Sequence, residues 1–329
     1  MDCSICIVSY NVKSYLRACL QSLYDHSDGL KLEVLVCDNA SQDGSVDMIR
    51  KEFSEVLLFP MNTNLGFAAG MNVTLREAKG DYILLLNPDS ELCEGSLQNM
   101  IRFLKENPRC GIVGPKLLNE DGSTQKGIRQ FPTPLTSLAR NTFLKKIPFF
   151  KNRIDFYSMR HFDLELPSLV DQVSGAAMLF SRQTFEKIGF LDERFFIFFE
   201  EVDYCKRAKE FGIEVRYFPK AEVLHHGGKS RKSVNTFAMI TRLQSEMKYH
   251  KKHMSPALYP LYIMLFKLCY LSSLFFECLG DLAVYCFCRG AKLFQPSFCE
   301  SKRMQKRKEK TDFRCFFIQK KLFTFLFQF

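Results

Sequence analysis

Apolar and polar positions in the first 120 residues alternate between short apolar runs and longer stretches with a helical period. ICIVS, EVLVC, VLLF, YILLL and GIVG show no strict apolar and polar alternation, which suits strands covered on both faces. Between them the pattern predicts helices from about Ser14 to Tyr24, after Gly44, from about Phe67 to Lys79 and from about Ser96 to Lys105. This strand-helix rhythm predicts an α/β, Rossmann-like fold with a mostly parallel, right-handed central sheet.

Residues 121–170 lose the period and gather Pro, Phe and basic side chains, which predicts loops and a lid. Order resumes with VSGAAMLFS, helices over Arg182 to Ile188 and Glu200 to Phe211, and two strand-like pieces, EVRYF and EVLHH. The expected divisions are therefore 1–120, 121–250 and a helical extension over 251–329. With 329 residues of which 47% are hydrophobic, the chain can bury a large core.

Charge changes the picture of the last part. Residues 229–329 carry 19 Lys and Arg against 6 Asp and Glu, whereas residues 1–228 carry 27 against 30, so the net charge of +10 resides in the C-terminal part. A nucleic-acid-binding core is not indicated. From Pro256 the chain turns rich in Leu, Phe, Tyr and Cys, but Lys267, Glu277 and Asp281 interrupt it. Drawn as one helix over Leu261 to Leu293, it gathers Lys267, Glu277, Asp281, Arg289 and Lys292 within an arc of about 120°. Such a rod lies in a membrane interface or packs on other helices, in the core or in a homo-oligomer. Lys251, Lys252 and the cluster KRMQKRKEK favour an anionic membrane surface, and FFIQKKLFTFLFQF reads as a second interfacial anchor.

The first strand begins almost at once, with no basic leader or cleavage site, so no signal peptide is expected and the chain should act from the cytosol as a peripheral protein of the cytoplasmic membrane face. Thirteen cysteines scattered through apolar segments read as reduced, buried thiols. Cys3 and Cys6 form a CxxC, but on a strand they point to opposite faces.

Polar residues cluster where strands end. SYN (Ser9 to Asn11) follows the first strand. CDNAS follows the second, with Asp38 placed to accept hydrogen bonds from a nucleobase edge or a ribose and Ser41 beside it. NTNLGFAAGMN opens a helix, with Asn64, Gly66 and Asn72 near its start and Gly66 and Gly70 permitting close approach. NPDS, with Asn87 and Asp89, follows the fourth strand. Asp89 either caps the helix near Ser96 or sits at the ligand-holding edge of the sheet. Together these segments converge on one sheet edge, as a nucleotide site requires.

In the second half, SGAAMLFSR places Gly175 and Ala176 in a small-residue segment that is either a close-packed strand or room for a ligand. FFIFFEEVDYCKR puts Glu200, Glu201 and Asp203 in about one helical turn, a costly cluster away from a helix N-terminus or a functional site. HHGGKS places His225, His226 and Lys229 in a Gly-rich loop after a strand.

From about Ser4 to Ser230 these ordered motifs resemble the family 2 glycosyltransferases of GT-A fold, in particular the rhamnosyltransferase-like branch. The resemblance implies an inverting transferase that moves a sugar, rhamnose or another hexose, from a nucleotide-diphosphate donor to a polysaccharide or lipid-linked acceptor in cell-surface glycan synthesis. It divides 1–120 from 121–250 as donor-binding half and acceptor and base half. It implies donor contacts from Ser9, Asn11, Asp38, Ser41, Asn64, Gly66, Asn72, Asn87 and Asp89, and acceptor contacts from Gly175, Ala176 and Asp203. Glu201 stands where the family has its base, a glutamate for the usual aspartate, with Glu200 as its neighbour. Asp89 and His225 would hold Mg²⁺ or Mn²⁺; Asn87 replaces the first aspartate of the family's metal motif. Two other readings are a sugar nucleotidyltransferase, which would carry a Gly-rich basic loop after strand one where SYNVKSY has no glycine, and a catalytically silent membrane scaffold.

Overall fold

The apolar runs form strands because each feeds two cores at once. Leu84 and Leu86 join Ile5, Ile7, Leu16 and Leu20 in one core, while Ile83 and Leu85 join Cys6, Val8, Met71 and Leu75 in another. A residue period of two sends neighbours to opposite sides of a sheet, and helices cover both sides. Cys3 and Cys6 accordingly enter different cores, and burial pushes the Cys6 thiol up to about 12.

The computed structural model describes residues 1–27, 29–227 and 235–292. The first half runs β1 (Cys3–Ser9), α1 (Lys13–Asp25), β2 (Leu32–Asp38), α2 (Ser45–Glu52), β3 (Leu57–Pro60), α3 (Phe67–Glu77), β4 (Tyr82–Leu86), β5 (Ser90–Leu92), α4 (Ser96–Glu106) and β6 (Cys110–Leu118). There follow β7 (Thr124–Gln125), β8 (Ile128–Arg129), α5 (Pro134–Asn141), a 3₁₀ turn (Phe143–Lys146), α6 (Pro148–Tyr157), β9 (Ser168–Val170) and β10 (Gln172–Val173). The last elements are β11 (Ala177–Ser181), α7 (Arg182–Ile188), α8 (Glu200–Glu210), β12 (Glu214–His225), α9 (Asn235–His253) and α10 (Tyr259–Lys292).

The main sheet has the order β3-β2-β1-β4-β11-β6-β12-β5, with β7 on β6 and β9 on β12. Strands β1 to β4 and the β6–β12 pair are parallel, whereas β11 runs antiparallel to both β4 and β6. The antiparallel β11 thus joins the two parallel halves. It also brings residues 174–177 beside the exit of β4, since Ala177 pairs with Leu86.

Three expectations are corrected. EVRYF and EVLHH are not separate strands but parts of β12, which carries a register shift between Phe218 and Glu222. Pro219 lies in that irregularity, where its missing N–H removes no ladder bond. Residues 121–170 are not only loops: α5 starts where the Thr133 side chain accepts from the Thr136 N–H and Pro134 takes the first turn, and α6 follows. Asp89 does not cap α4, because β5 intervenes and Gly95 occupies that N-cap with φ 69°.

The chain divides into two units, Met1–Phe131 with Asp155–Tyr249, and Pro132–Ile154 with His250–Phe329. That Pro132–Ile154 groups with the C-terminal residues is announced by no boundary in the sequence. The expectations for Lys229, Ser230, KRMQKRKEK and FFIQKKLFTFLFQF, and for the side chains of Glu277, Asp281, Arg289 and Lys292, lie outside the described residues.

Candidate active site

The site is built at the carboxyl ends of the parallel strands. Ser9 and Asp38 end β1 and β2 in register and are both buried. One Asp38 oxygen, Oδ1, accepts from the Ser41 N–H at 2.8 Å, but Oδ2 and the Ser9 hydroxyl find no hydrogen-bond partner. Buried polar atoms are nearly always satisfied, so these two atoms retain the capacity to bond a ligand at the strand ends. Asn11 and Ser41 have a different task. Asn11 donates its N–H to Ser41 Oγ at 2.9 Å and accepts from the Gln42 N–H through Oδ1 at 2.7 Å, lacing the two loops together. Asn11 adopts a left-handed φ of 53°, which asparagine tolerates better than most residues.

Beside them, Asn64 Oδ1 accepts from the Gly66 N–H at 2.9 Å, closing a turn. Gly66 has φ 86°, and a Cβ there would lie 2.4 Å from the Phe196 carbonyl oxygen. Phe67 donates its N–H to that same oxygen at 2.6 Å. The Asn64 to Phe67 loop is thereby pinned to the aromatic segment that precedes α8. Asn72 is corrected from a donor contact to an anchor. Its amide donates to the Leu191 carbonyl and to Glu193 Oε1, both at 2.9 Å, and accepts from the Leu191 N–H, with 1% of the residue exposed.

At the exit of β4, Asn87 donates its N–H to the Ala176 carbonyl at 2.9 Å, and Ser90 Oγ donates to the same oxygen at 3.2 Å. Asp89, 6% exposed, places Oδ1 3.5 Å from His225 Nε2, because β12 pairs His225 with Ser90. His225 Nδ1 meets Gln125 Oε1 at 2.6 Å. The Gln125 amide nitrogen donates to Asn119 Oδ1 at 2.9 Å and to the His225 carbonyl at 3.4 Å, which turns its oxygen toward the ring. A carbonyl oxygen there requires the proton on Nδ1. Nε2 faces Asp89, buried and without a hydrogen-bond partner. His226 is used otherwise, between Glu91 at 2.5 Å and Glu120 at 2.8 Å.

The acid cluster stands on the far side of residues 174–177. Gly175 lies beside Glu201: a Cβ there would stand 3.4 Å from Glu201 Cβ, at van der Waals contact. Ala176 is corrected: at 2% exposed its side chain belongs to the core, and its carbonyl serves Asn87 and Ser90. Residues 174–177 thus touch both the exit of β4, through the Asn87 N–H, and the side chain of Glu201. Phe198 and Phe199 carry φ of 68° and 71°, uncommon for bulky side chains, and aim the start of α8 at that edge.

Asp203 is also corrected. It is 0% exposed and accepts from Arg207 Nε at 2.9 Å, while the other Arg207 nitrogens donate to the Ile188 and Phe190 carbonyls. It is one half of a buried ion pair that ties α8 to the end of α7. Glu200 and Glu201 differ from it, since each has an oxygen buried without a hydrogen-bond partner.

Burial, then the adjacent Glu201, push the Glu200 carboxyl well above the usual range. Burial also raises Glu201, but backbone N–H groups and the Arg129 guanidinium oppose the rise. Two such neighbours do not both ionise readily, and the charge rests better on Glu201. A folded-state pKa raised above the unfolded one gives stability that is complete below the unfolded value, about 4.3 for glutamate, and is lost as pH rises through the folded one. Glu200→Gln is therefore expected to melt higher than the unsubstituted protein at neutral pH, with a difference that shrinks toward pH 4, in thermal scans across pH.

Two contributors carried no sequence signal. Gln125 and Arg129 lie in two-residue strands, and their partners His225 and Glu201 are distant along the chain. Only the pairing of β7 with β6 and of β8 with β10 brings them in.

The description of glycosyl transferase family 2 matches residues 4–189. The N-acetylglucosaminyl-diphospho-decaprenol L-rhamnosyltransferase of Mycobacterium tuberculosis (strain H37Rv) is 32% identical over 237 residues, 68% of this chain and 75% of that protein. The rhamnosyltransferase WbbL of Escherichia coli (strain K12) is 24% identical over 261 residues, 74% of this chain and 91% of that protein. Among solved structures, the mannosyltransferase PcManGT from Pyrobaculum calidifontis, in complex with GDP-Man and Mn²⁺, superposes with a TM-score of 0.54 at 16% identity, covering 96% of this chain and 84% of that one. At that identity the likeness speaks for the shared fold alone. The matched span takes in β1 to α7, with the strand-end residues Ser9, Asp38 and Asp89 inside it, and the chain belongs to glycosyl transferase family 2, as a rhamnosyltransferase-like glycosyltransferase of GT-A fold.

Proposed function

We propose that this glycosyltransferase moves rhamnose or a related hexose from a nucleoside-diphosphate donor to a lipid-linked or polysaccharide acceptor, by one inverting displacement with Glu201 as general base. The observation that carries the reading is the set of buried, unpartnered atoms at one sheet edge: Ser9 Oγ, Asp38 Oδ2, His225 Nε2, Glu200 Oε2 and Glu201 Oε2. The first two suit a nucleoside, and the last two suit an acceptor hydroxyl. The M. tuberculosis relative is named for transfer of L-rhamnose to N-acetylglucosaminyl-diphospho-decaprenol, which supports a sugar-diphospho-lipid acceptor here.

In the proposed step, the Glu201 carboxylate takes the proton of the acceptor hydroxyl while that oxygen attacks the anomeric carbon. The bond from that carbon to the diphosphate oxygen breaks, and the electron pair leaves with the diphosphate. Residues 174–177 link the base and leaving-group ends of the site. Glu200 is buried and Glu201 partly so, which limits the access of water that would compete for the donor.

Asp89 and His225 fit a divalent cation. Among the described residues no cluster of three His, Cys, Asp or Glu side chains gathers, so two protein ligands with diphosphate oxygens and water completing the shell is the arrangement Mg²⁺ and Mn²⁺ commonly take. When bound, such an ion would neutralise charge developing on the departing diphosphate. Gln125 would act through His225 by fixing its tautomer. Gln125→Leu is therefore expected to weaken Mn²⁺ binding by about 10–100-fold, read directly as free Mn²⁺ by electron paramagnetic resonance.

A panel of nucleotide sugars incubated with purified protein and Mn²⁺ tests the reading. Release of nucleoside diphosphate together with a glycosylated acceptor supports it. Release of pyrophosphate from a nucleoside triphosphate and a sugar phosphate would favour a nucleotidyltransferase, and donor binding without any turnover would favour a silent scaffold.

A further inference from the structure

We propose that the exposed arc of α10, together with the 3₁₀ turn and the first residues of α6, docks on an anionic lipid bilayer, with α10 lying in the plane of the interface. This goes beyond the proposed chemistry and does not depend on it. On α10, Leu261, Met264, Leu265, Leu268, Phe275, Phe276 and Leu279 are 42–61% exposed. At about 100° per residue they fall in an arc of about 120°. Tyr262, Ile263, Phe266, Tyr270 and Ser273 occupy the opposite side and are buried. Lys267 lies off the exposed arc.

The apolar arc continues into the segment beside it. Ser273 Oγ accepts from the Phe143 N–H at 2.7 Å, and the Phe143 and Phe276 rings meet at 6.2 Å. Beyond Phe143 come exposed Ile147 and Phe149, with Lys145, Lys146, Lys151 and Arg153 exposed among them. The Arg153 guanidinium stands 5.2 Å over the Phe149 ring. Apolar and aromatic groups interleaved with long cationic side chains match the boundary between acyl chains and anionic headgroups.

The geometry favours lying over crossing. Over Tyr259–Phe276, the most apolar stretch of α10, 33% is buried within the protein. That side, with Tyr262, Ile263, Phe266, Tyr270 and Ser273, is already taken by protein, so only the exposed arc is left for lipid, as in a helix lying in the interface. Charge decides against other occupants. A second copy would set one cationic rim against another, and residues 293–329 carry 9 Lys and Arg against 3 Asp and Glu, so they too would meet like charge.

The test is flotation of the full chain with phosphatidylcholine vesicles, with and without phosphatidylglycerol. The unsubstituted protein is expected to float with the anionic vesicles. Leu268→Glu with Phe275→Glu should weaken binding at least about tenfold, and Lys145→Glu with Lys146→Glu about fivefold per charge on anionic vesicles, less at high salt. Circular-dichroism melting checks that each variant is folded. The proposal is overturned if the unsubstituted protein does not float, if both folded double variants float as well as it does, which would move the contact to residues 293–329, or if light scattering shows a dimer that Leu268→Glu with Phe275→Glu makes monomeric. Flotation needs no turnover, so its failure leaves the assignment of Glu201 standing, and Glu201→Gln should float unchanged.

Discussion

Glu201→Gln is expected to lower kcat by about 10²–10⁴-fold, the range that positioned proton transfer contributes, while nucleotide-sugar binding stays near its original strength. Glutamine keeps the volume and the close passage of Gly175, but it cannot take a proton from the acceptor. The split between kcat and donor affinity follows because the donor's expected contacts, Ser9 and Asp38, are on β1 and β2, on other elements than α8. The pH profile gives an independent reading. Burial holds the Glu201 carboxyl above its ordinary range, so kcat/KM should fall with decreasing pH already above about 4.3, the usual glutamate value, and the residual activity of the glutamine variant should lose that acid limb. Steady-state kinetics across pH, with donor binding measured by calorimetry, checks both. Retention of kcat within a factor of about two, against the range expected for a lost base, would sink the assignment.

Asp203→Ala should act on stability instead. Removing one partner of a buried ion pair costs about 3–5 kcal/mol, because the other charge stays behind without compensation. Arg207 is mostly buried, with 17% of its side chain exposed, and it would keep only its bonds to the Ile188 and Phe190 carbonyls. Each kcal/mol lowers Tm by about 2–4 °C in a domain of this size. Arg207→Met should cost at least as much, since it gives up those two carbonyls as well. Thermal and denaturant melts measure both. If Asp203→Ala melted like the unsubstituted protein but raised KM for the acceptor, Asp203 would be a substrate contact after all.

The contrast between these two acids shows where reading the chain succeeds. Glu200, Glu201 and Asp203 share one helical turn, and their spacing says only that three carboxylates crowd a helix N-terminus. Which of them is consumed by Arg207 depends on how α8 rotates against α7, and that is set by packing around Tyr204, Cys205 and Ala208. Asn72 and Ala176 repeat the lesson: both lie in segments that reach the site, yet one is spent holding Leu191 and Glu193 and the other fills the core. In α6, Tyr157 is the buried residue of a helix whose apolar positions follow no face, so no periodic signal was there to find. The start of α5 was legible in principle, through Thr133 and Pro134, but the surrounding Pro and Phe residues obscured it.

The order of residues along the chain sets the alternation of buried strands and covering helices, and with it the edge on which the strand-end polar residues must gather. The reason is local: short apolar runs bounded by turn residues form strands with both faces covered, and the residue after such a run emerges at its end. Which of those residues meet depends on pairing between distant strands. The antiparallel insertion of β11 beside β4 bridges Asn87 to Glu201, and the pairing of β12 with β5 sets His225 against Asp89 while β7 delivers Gln125 to its ring. Contacts between residues so far apart along the chain are fixed by strand register and side-chain packing, which no short stretch of sequence contains.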